Sequence, residues 1–171
     1  TIAYVPVLSQ GTGVRWSAGA IISFACDAIY MAPGTSMGSA APILQGPDGT
    51  SVQADEKTVS AIRTQMAALA EKNGYPAAIA RAMVDYDVEI VELIVDGESV
   101  VVEADEADAR TAELREAGRE VSTGASISEA GKLLSLTAGE MERYGVAEGT
   151  VPSEAALYES VGVARADVVR L

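Results

Sequence analysis

Two side chains of this sequence could do chemistry together. Ser17 opens the small-residue run Ser17-Ala18-Gly19, and Lys57 follows it by 40 residues (57 minus 17) in a 171-residue chain that contains no histidine. A serine hydroxyl is a weak nucleophile until a neighbouring base removes its proton, and imidazole, the usual base, is absent. A lysine can replace it only as the free amine. Its ordinary pKa of about 10.4 must therefore be pulled down by burial or by a positive neighbour. The chemistry on offer is acyl transfer: Ser17 attacks, Lys57 takes the proton and returns it, and the backbone N–H of Ala18 faces the developing oxyanion.

The elements that must position this pair can be read from the pattern. Thr1 to Val5 reads as a strand, Ser9 to Gly13 as a turn, and Ser17 to Ala25 as a tightly packed helix with Ser17 at its N-terminus. Ala28 to Ala32, stopped by Pro33-Gly34, reads as a buried strand parallel to the first. Gly34 to Gln53 is rich in Gly, Ser, Thr and Pro, and its Gln45 to Thr50 stretch reads as an exposed loop. Asp55 to Asn73 is an amphipathic helix with Val59, Ile62, Met66, Leu69 and Ala70 on one face and Gly74 closing it. Lys57 belongs to its first turn, where the helix dipole disfavours a second positive charge but contributes less than about one pKa unit. Ordinary explanations compete with the chemical ones. Serine is among the commonest helix caps, and a lone lysine usually lies in solvent.

Further on, Pro76 to Met83 reads as a short helix. Glu89 to Val95, the turn Asp96-Gly97 and Glu98 to Val102 form a β-hairpin, followed by a charged surface helix from Asp105 to Ala117. Residues 85–130 are taken as an inserted hairpin-and-helix subdomain within one domain spanning 1–171. Gly131 to Leu136 reads as a buried strand, Thr137-Ala138-Gly139-Glu140 as a capping box, and Ser153 to Val161 as a last helix.

Composition sets outer limits. With 49% hydrophobic and 22% charged residues the chain can bury one core. A formal charge of −13, with scattered basic residues, argues against nucleic-acid partners. No apolar run approaches the roughly 20 residues of a membrane span. The single Cys26 falls in an apolar helical pattern and reads as a buried, inert thiol.

Ser17 to Asp27, running into Ala32-Pro33-Gly34-Thr35-Ser36-Met37-Gly38-Ser39-Ala40-Ala41-Pro42, resembles the NfeD-type, ClpP-class membrane-bound serine proteases, partners of stomatin-like proteins. The similarity continues through Met83-Val84-Asp85 to Gly131–Ala138 and Tyr144–Gly149, so it covers nearly the whole chain. It implies an α/β fold of ClpP/crotonase-like stacked βαβ units. Ser17 would be the nucleophile and Lys57 the base, acting without metal or cofactor. Trp16, Gly34, Thr35, Ser36 and Met37 are expected to shape the substrate cleft. The implied substrates are hydrophobic polypeptide segments such as a stomatin-like C-terminus, and the implied assembly is a homodimer or larger homo-oligomer. The parent protein would be membrane-associated, with this soluble domain on the extracytosolic side. The family carries a glycine-containing oxyanion segment upstream of the first strand, and the chain is expected to be a fragment beginning after it.

Rivals to these roles remain. Lys72 lies at the far end of its helix, whereas Lys132, beginning a strand, could serve as an alternative base. Asp27, with no imidazole to orient, reads as a structural cap, and Trp16 packs the helix entry or walls the cleft. A non-catalytic assembly or binding module on the same fold is the main alternative function. A crotonase-type acyl-CoA enzyme is a weaker one, because its acidic catalytic pair is not recognisable.

Overall fold

A computed structural model describes residues 1–7, 14–46 and 49–164, except that the side chains of residues 14–16 are not described. The expected turn at Ser9 to Gly13 lies outside these residues. The chain begins with β1 (Ile2–Val5) and β2 (Val14–Trp16), and passes through Ser17 into α1 (Ala18–Phe24) and β3 (Ala28–Met31). β1 and β3 pair in parallel, with Val5 opposite Met31, around the crossover that the alternating apolar runs imply. The stretch from Gly34 to Gln53 is not one long loop. It forms β4 (Ser36–Gly38), β5 (Ile43–Gln45) and β6 (Ser51–Gln53), three strands too short to produce a visible alternation.

Next come α2 (Glu56–Asn73) and α3 (Ala77–Ala82). The α2 boundaries follow from two side chains. The Asp55 carboxylate accepts from Thr58 N at 2.9 Å, and Gly74, at φ 77°, takes the left-handed turn that ends the helix. Val59, Met66, Ala67 and Ala70 are buried, with Ile62 and Leu69 packed partly against the core. At its far end α2 grips α1, where Asn73 Nδ2 donates to the Phe24 carbonyl at 2.8 Å and Tyr75 meets the Phe24 ring edge-on at 5.6 Å.

β7 (Ile90–Val95) and β8 (Glu98–Glu103) form the expected hairpin, with Asp96 at φ 52° and Gly97 at φ 90° in a turn that demands two positive φ values. α4 (Ala107–Glu116) and β9 (Val121–Ser128) follow, and β9 pairs with β7 across from β8. Leu93, Val95 and Val121 make a small apolar cluster of their own there. β10 (Ser135–Thr137), α5 (Ala138–Arg143), β11 (Gly149–Thr150) and α6 (Glu154–Ser160) complete the chain. The Thr137/Glu140 capping box is formed at α5. Two three-stranded sheets organise the body, β1-β3-β11 and β10-β4-β2, and their buried faces share one core that includes Phe24, Ile29, Met31, Met37, Met66 and Ile79.

The β7–β8–β9 sheet is tied to this body through Glu92, which is 2% exposed. Its carboxylate accepts from Ser99 Oγ, from Arg143 Nη2 at 2.6 Å and from Ala125 N at 3.3 Å. The Ser99 bond first, with the arginine and amide donors, holds Glu92 below its ordinary value of 4.5 against the opposing effect of burial. A lowered folded-state pKa contributes stability above the ordinary carboxylate range, and that contribution is lost as pH falls through the folded value. Arg143→Ala should therefore cost about 1–3 kcal/mol at neutral pH. In thermal melts from pH 7 down to pH 3 the variant should lose less stability than the parent chain, because part of the acid-sensitive term is already gone.

Candidate active site

Ser17 stands between a strand and a helix, and its backbone is strained. At φ 57° and ψ −127° it lies at positive φ but far from the left-handed helical well that non-glycine residues tolerate. Such a residue costs on the order of 1–3 kcal/mol and persists only when its surroundings impose it. Those surroundings are visible. Ser17 N donates to Ser39 O at 3.1 Å and to Gly38 O at 3.3 Å, while Ser17 O accepts from Ala20 N at 3.0 Å. β2 and β4 run parallel, with Trp16 opposite Gly38, so the chain reaches Ser17 just where β4 ends.

The ordinary reading of Ser17 as a helix cap fails on one point. Its side chain makes no capping hydrogen bond, and the residue is exposed. Ala18, next in line, is exposed as well, and its N–H at the first helical position has no partner within α1. A hydroxyl and an amide with no partner among the described residues thus stand side by side at a sharp strand-to-helix turn, the local arrangement of a nucleophile elbow.

The acceptors of the Ser17 amide are themselves fixed. Ser39, at φ 45°, donates its N–H to Leu134 O at 2.9 Å and shares a 2.8 Å hydrogen bond with Ser135 Oγ. Ala40 N reaches Met83 O at 2.6 Å. Gly38 lies so close to β10 that a Cβ there would sit 2.3 Å from Leu134 O, which leaves room only for glycine. Gly38, Leu134 and Ser135 did not stand out as site-formers in the sequence. Their signal was the Met37-Gly38-Ser39 string, whose glycine marks a close backbone approach.

Lys57 is tied to the segment that follows β4 only through its near neighbour Ala54. Three residues beyond Ser39, Pro42 O accepts from Ala54 N at 3.2 Å, and Lys57 follows Ala54 by three residues. Lys57 is exposed, and among the described residues no hydrogen bond or ion pair joins it to Ser17 or to an acid. Asp55 is occupied by its cap, which lowers its pKa, and Glu56 faces Arg63 at 3.6 Å. Lys132 does not begin a strand. It lies in the turn before β10, with Glu129 Oε2 2.7 Å from its ammonium, and that hydrogen bond raises its pKa, the wrong direction for a base. Lys72 sits in the last turn of α2, at the opposite end from Lys57.

The expected cleft residues separate. Gly34, Thr35 and Ser36 line a cavity of about 500 Å³ with Thr137, Ala138 and Thr150, at the end of β4 away from Ser17. Thr35 is nearly buried, and its hydroxyl donates to Ala32 O at 2.6 Å, a structural bond. Met37 is completely buried, since strand alternation turns it into the core rather than toward a cleft. Trp16 occupies the last position of β2, and its side chain lies outside the described residues. Asp27 contacts Thr1 on the far side of α1, where its carboxylate accepts from Thr1 Oγ1 at 3.1 Å. A cavity of about 390 Å³, absent from the sequence-based expectations, opens at the start of α2 between Gln53, Ala54 and Glu56 on one side and Asp85, Tyr86 and Gly131 on the other. Among the described residues no cluster of acidic, cysteine or histidine side chains could hold a metal ion, and no helix is long and apolar enough to cross a membrane.

Comparison with known proteins agrees with this architecture. Residues 3–112 match the family described as NfeD1b, N-terminal domain. The membrane protein NfeD1b of Bacillus subtilis (strain 168) is 36% identical over 108 residues, which cover 63% of this chain and 24% of that protein. Two solved structures of the 1510-N membrane-bound stomatin-specific protease superpose with a TM-score of 0.57 at 23% identity, covering 92% of this chain. One is a lysine-to-alanine variant with a substrate peptide, of which this chain spans 50%, and the other is a serine-to-alanine variant, of which it spans 53%. The chain therefore spans about a quarter of its curated relative and about half of these structures, and it shares the latter's protease fold.

Proposed function

We propose that this chain, which belongs to the NfeD1b N-terminal domain family, is the peptidase domain of a membrane protein and cleaves hydrophobic polypeptide segments through an acyl-enzyme on Ser17. The observation that carries the reading is the strained, exposed and uncapped Ser17 at the turn from β2 to α1. Strain of this kind is expected where a nucleophile must be held out for attack. The fold shared with a stomatin-specific protease makes a stomatin-like protein the first substrate to try.

In the proposed reaction the Lys57 amine takes the proton as Ser17 Oγ bonds to the scissile carbonyl carbon, and the Ala18 N–H stabilises the oxyanion. Collapse of the intermediate breaks the C–N bond, and Lys57 returns the proton to the leaving amine. Water, deprotonated by Lys57, then releases the acyl group and regenerates Ser17. Because Lys57 is exposed, the desolvation that frees its amine has to come from whatever covers it during turnover.

One observation favours a second reading, a binding module on the same fold: among the described residues no hydrogen bond joins Ser17 to Lys57. Cleavage of a hydrophobic peptide panel decides between them. The peptidase reading predicts cutting that falls at least about 10³-fold in Lys57→Ala, with an unchanged melt because the residue is exposed. Peptide binding without cutting by a folded chain would transfer the conclusion to the binding module.

A further inference from the structure

We infer that the outer edge of β9, with the cleft at its end, is a docking track on which an extended stretch of substrate polypeptide adds as a further strand on its way to Ser17. That the track serves Ser17 rests on the reading of Ser17 as the attacking group; that β9 takes a strand does not.

β9 is an end strand. Its sheet runs β8-β7-β9, so among the described residues no strand lies beside the outer edge of β9. Such an edge is a row of backbone donors and acceptors, which folded proteins guard with lysine, proline or other charged side chains. Val121–Ser128 contains none of these, and Ser122, Thr123, Ala125 and Ser126 are exposed. The contrast is local. Residues 85–130 hold 14 acidic side chains and 3 arginines, a formal −11, and all of these lie outside the strand. The pairing of β9 with β7 shifts register twice, and at one shift Ile127 is left with no partner on β7. Bulges of this kind re-aim side chains beside functional sites.

Ile127 is turned to a cleft of about 270 Å³, which it lines with Ser126 on one side and Leu133, Leu134 and Ser135 on the other. Ile127 and Leu133 are half-buried, so the cleft offers apolar surface to an aliphatic side chain. Ser135 connects it to the reactive end. Its hydroxyl shares the 2.8 Å hydrogen bond with Ser39 Oγ, and Ser39 O accepts from Ser17 N. A strand laid on β9 with a side chain in the cleft is therefore two hydrogen bonds from the nucleophile. The backbone edge supplies affinity and the cleft supplies selectivity, as in other cases of strand addition.

Charge narrows the occupant further. Glu120 and Glu129 bracket β9 within the acidic 85–130 segment. An acidic polypeptide is repelled there, whereas an uncharged run flanked by lysine or arginine is drawn in.

The test follows a short dye-labelled peptide, alternating leucine and alanine between terminal lysines, by fluorescence anisotropy on the Ser17→Ala chain. On binding, amide hydrogen exchange across Val121–Ser128 should slow by about tenfold or more. N-methylation of alternate peptide nitrogens removes backbone donors and keeps the side chains, and Leu133→Glu puts a charge in the cleft. Each should weaken Kd by about tenfold or more, with the circular dichroism of the variant unchanged. Terminal glutamates in place of the lysines should also weaken binding, by a margin that shrinks as salt is added. A chain that does not bind the peptide, an N-methylated peptide that binds equally well, or protection confined to residues outside 121–128 overturns the track. An unchanged Kd in folded Leu133→Glu overturns the part given to the cleft. If the chain with Ser17 intact binds the peptide on β9 but neither cuts it nor reacts with a fluorophosphonate, the reading of Ser17 fails and strand addition stands.

Discussion

Replacing Ser17 by glycine is expected to abolish peptide cleavage and at the same time make the protein more stable. Glycine adopts φ 57°, ψ −127° without its penalty of about 1–3 kcal/mol, and it gives back about 0.5–1 kcal/mol through the greater freedom of the unfolded chain. The net gain should be roughly 0.5–2 kcal/mol. Ser17→Ala removes the same hydroxyl but keeps the Cβ, and so keeps the strain. It should lose activity by at least about 10³-fold with little change in stability. Urea unfolding of the three proteins separates the two effects. A Ser17→Gly variant no more stable than Ser17→Ala would mean that the turn stores no strain, and the main argument for Ser17 as the attacking group would fall with it.

Gly38→Ala should be among the most damaging substitutions in the molecule. The new methyl carbon would meet the Leu134 carbonyl at 2.3 Å and the Ser135 Cα at 2.6 Å, both backbone atoms that cannot swing aside, and φ at 148° is itself unfavourable for alanine. Relief requires β4 and β10 to part at the Gly38–Ser135 pair. That movement breaks the Ser39 N to Leu134 O bond and shifts both acceptors of the Ser17 amide. A loss of about 4 kcal/mol or more is expected, a large share of the 5–15 kcal/mol that holds a domain together. Gly34→Ala provides the control. It also has positive φ, at 79°, but nothing lies within 4 Å of the added carbon, so its cost should be about 1 kcal/mol. Equal denaturation midpoints for the two variants would contradict this account of β4.

The parts of the fold that were legible in the sequence are those with strong local signals. The α2 helix announced itself through its apolar face, its Asp55 cap and its Gly74 stop, and the β7–β8 hairpin through Asp96-Gly97. The Thr137 capping box and the buried run of β3 were equally plain. β2, β4, β5 and β6 were not, because three-residue strands carry no readable period and turn-rich composition hides them. The same limit explains Met37. Without β4, nothing in its neighbourhood showed that alternation would bury it while Ser36 faces outward. Lys132 was read as starting a strand because Leu133, Leu134 and Leu136 follow it, yet pairing begins only at Ser135, and the preceding turn instead hands Lys132 to Glu129. At the site, the type and position of Ser17 could be read, but its strain could not, since that depends on Gly38 and Ser39 closing against Leu134.

The account turns on Ser17 being an activated nucleophile, and reaction with an aryl fluorophosphonate followed by peptide mapping tests this most directly. A single adduct is predicted on Ser17, absent from Ser17→Ala and formed markedly more slowly in folded Lys57→Ala. A folded chain that takes up no label, or that carries it on Ser39 or Ser135 instead, would contradict the claim.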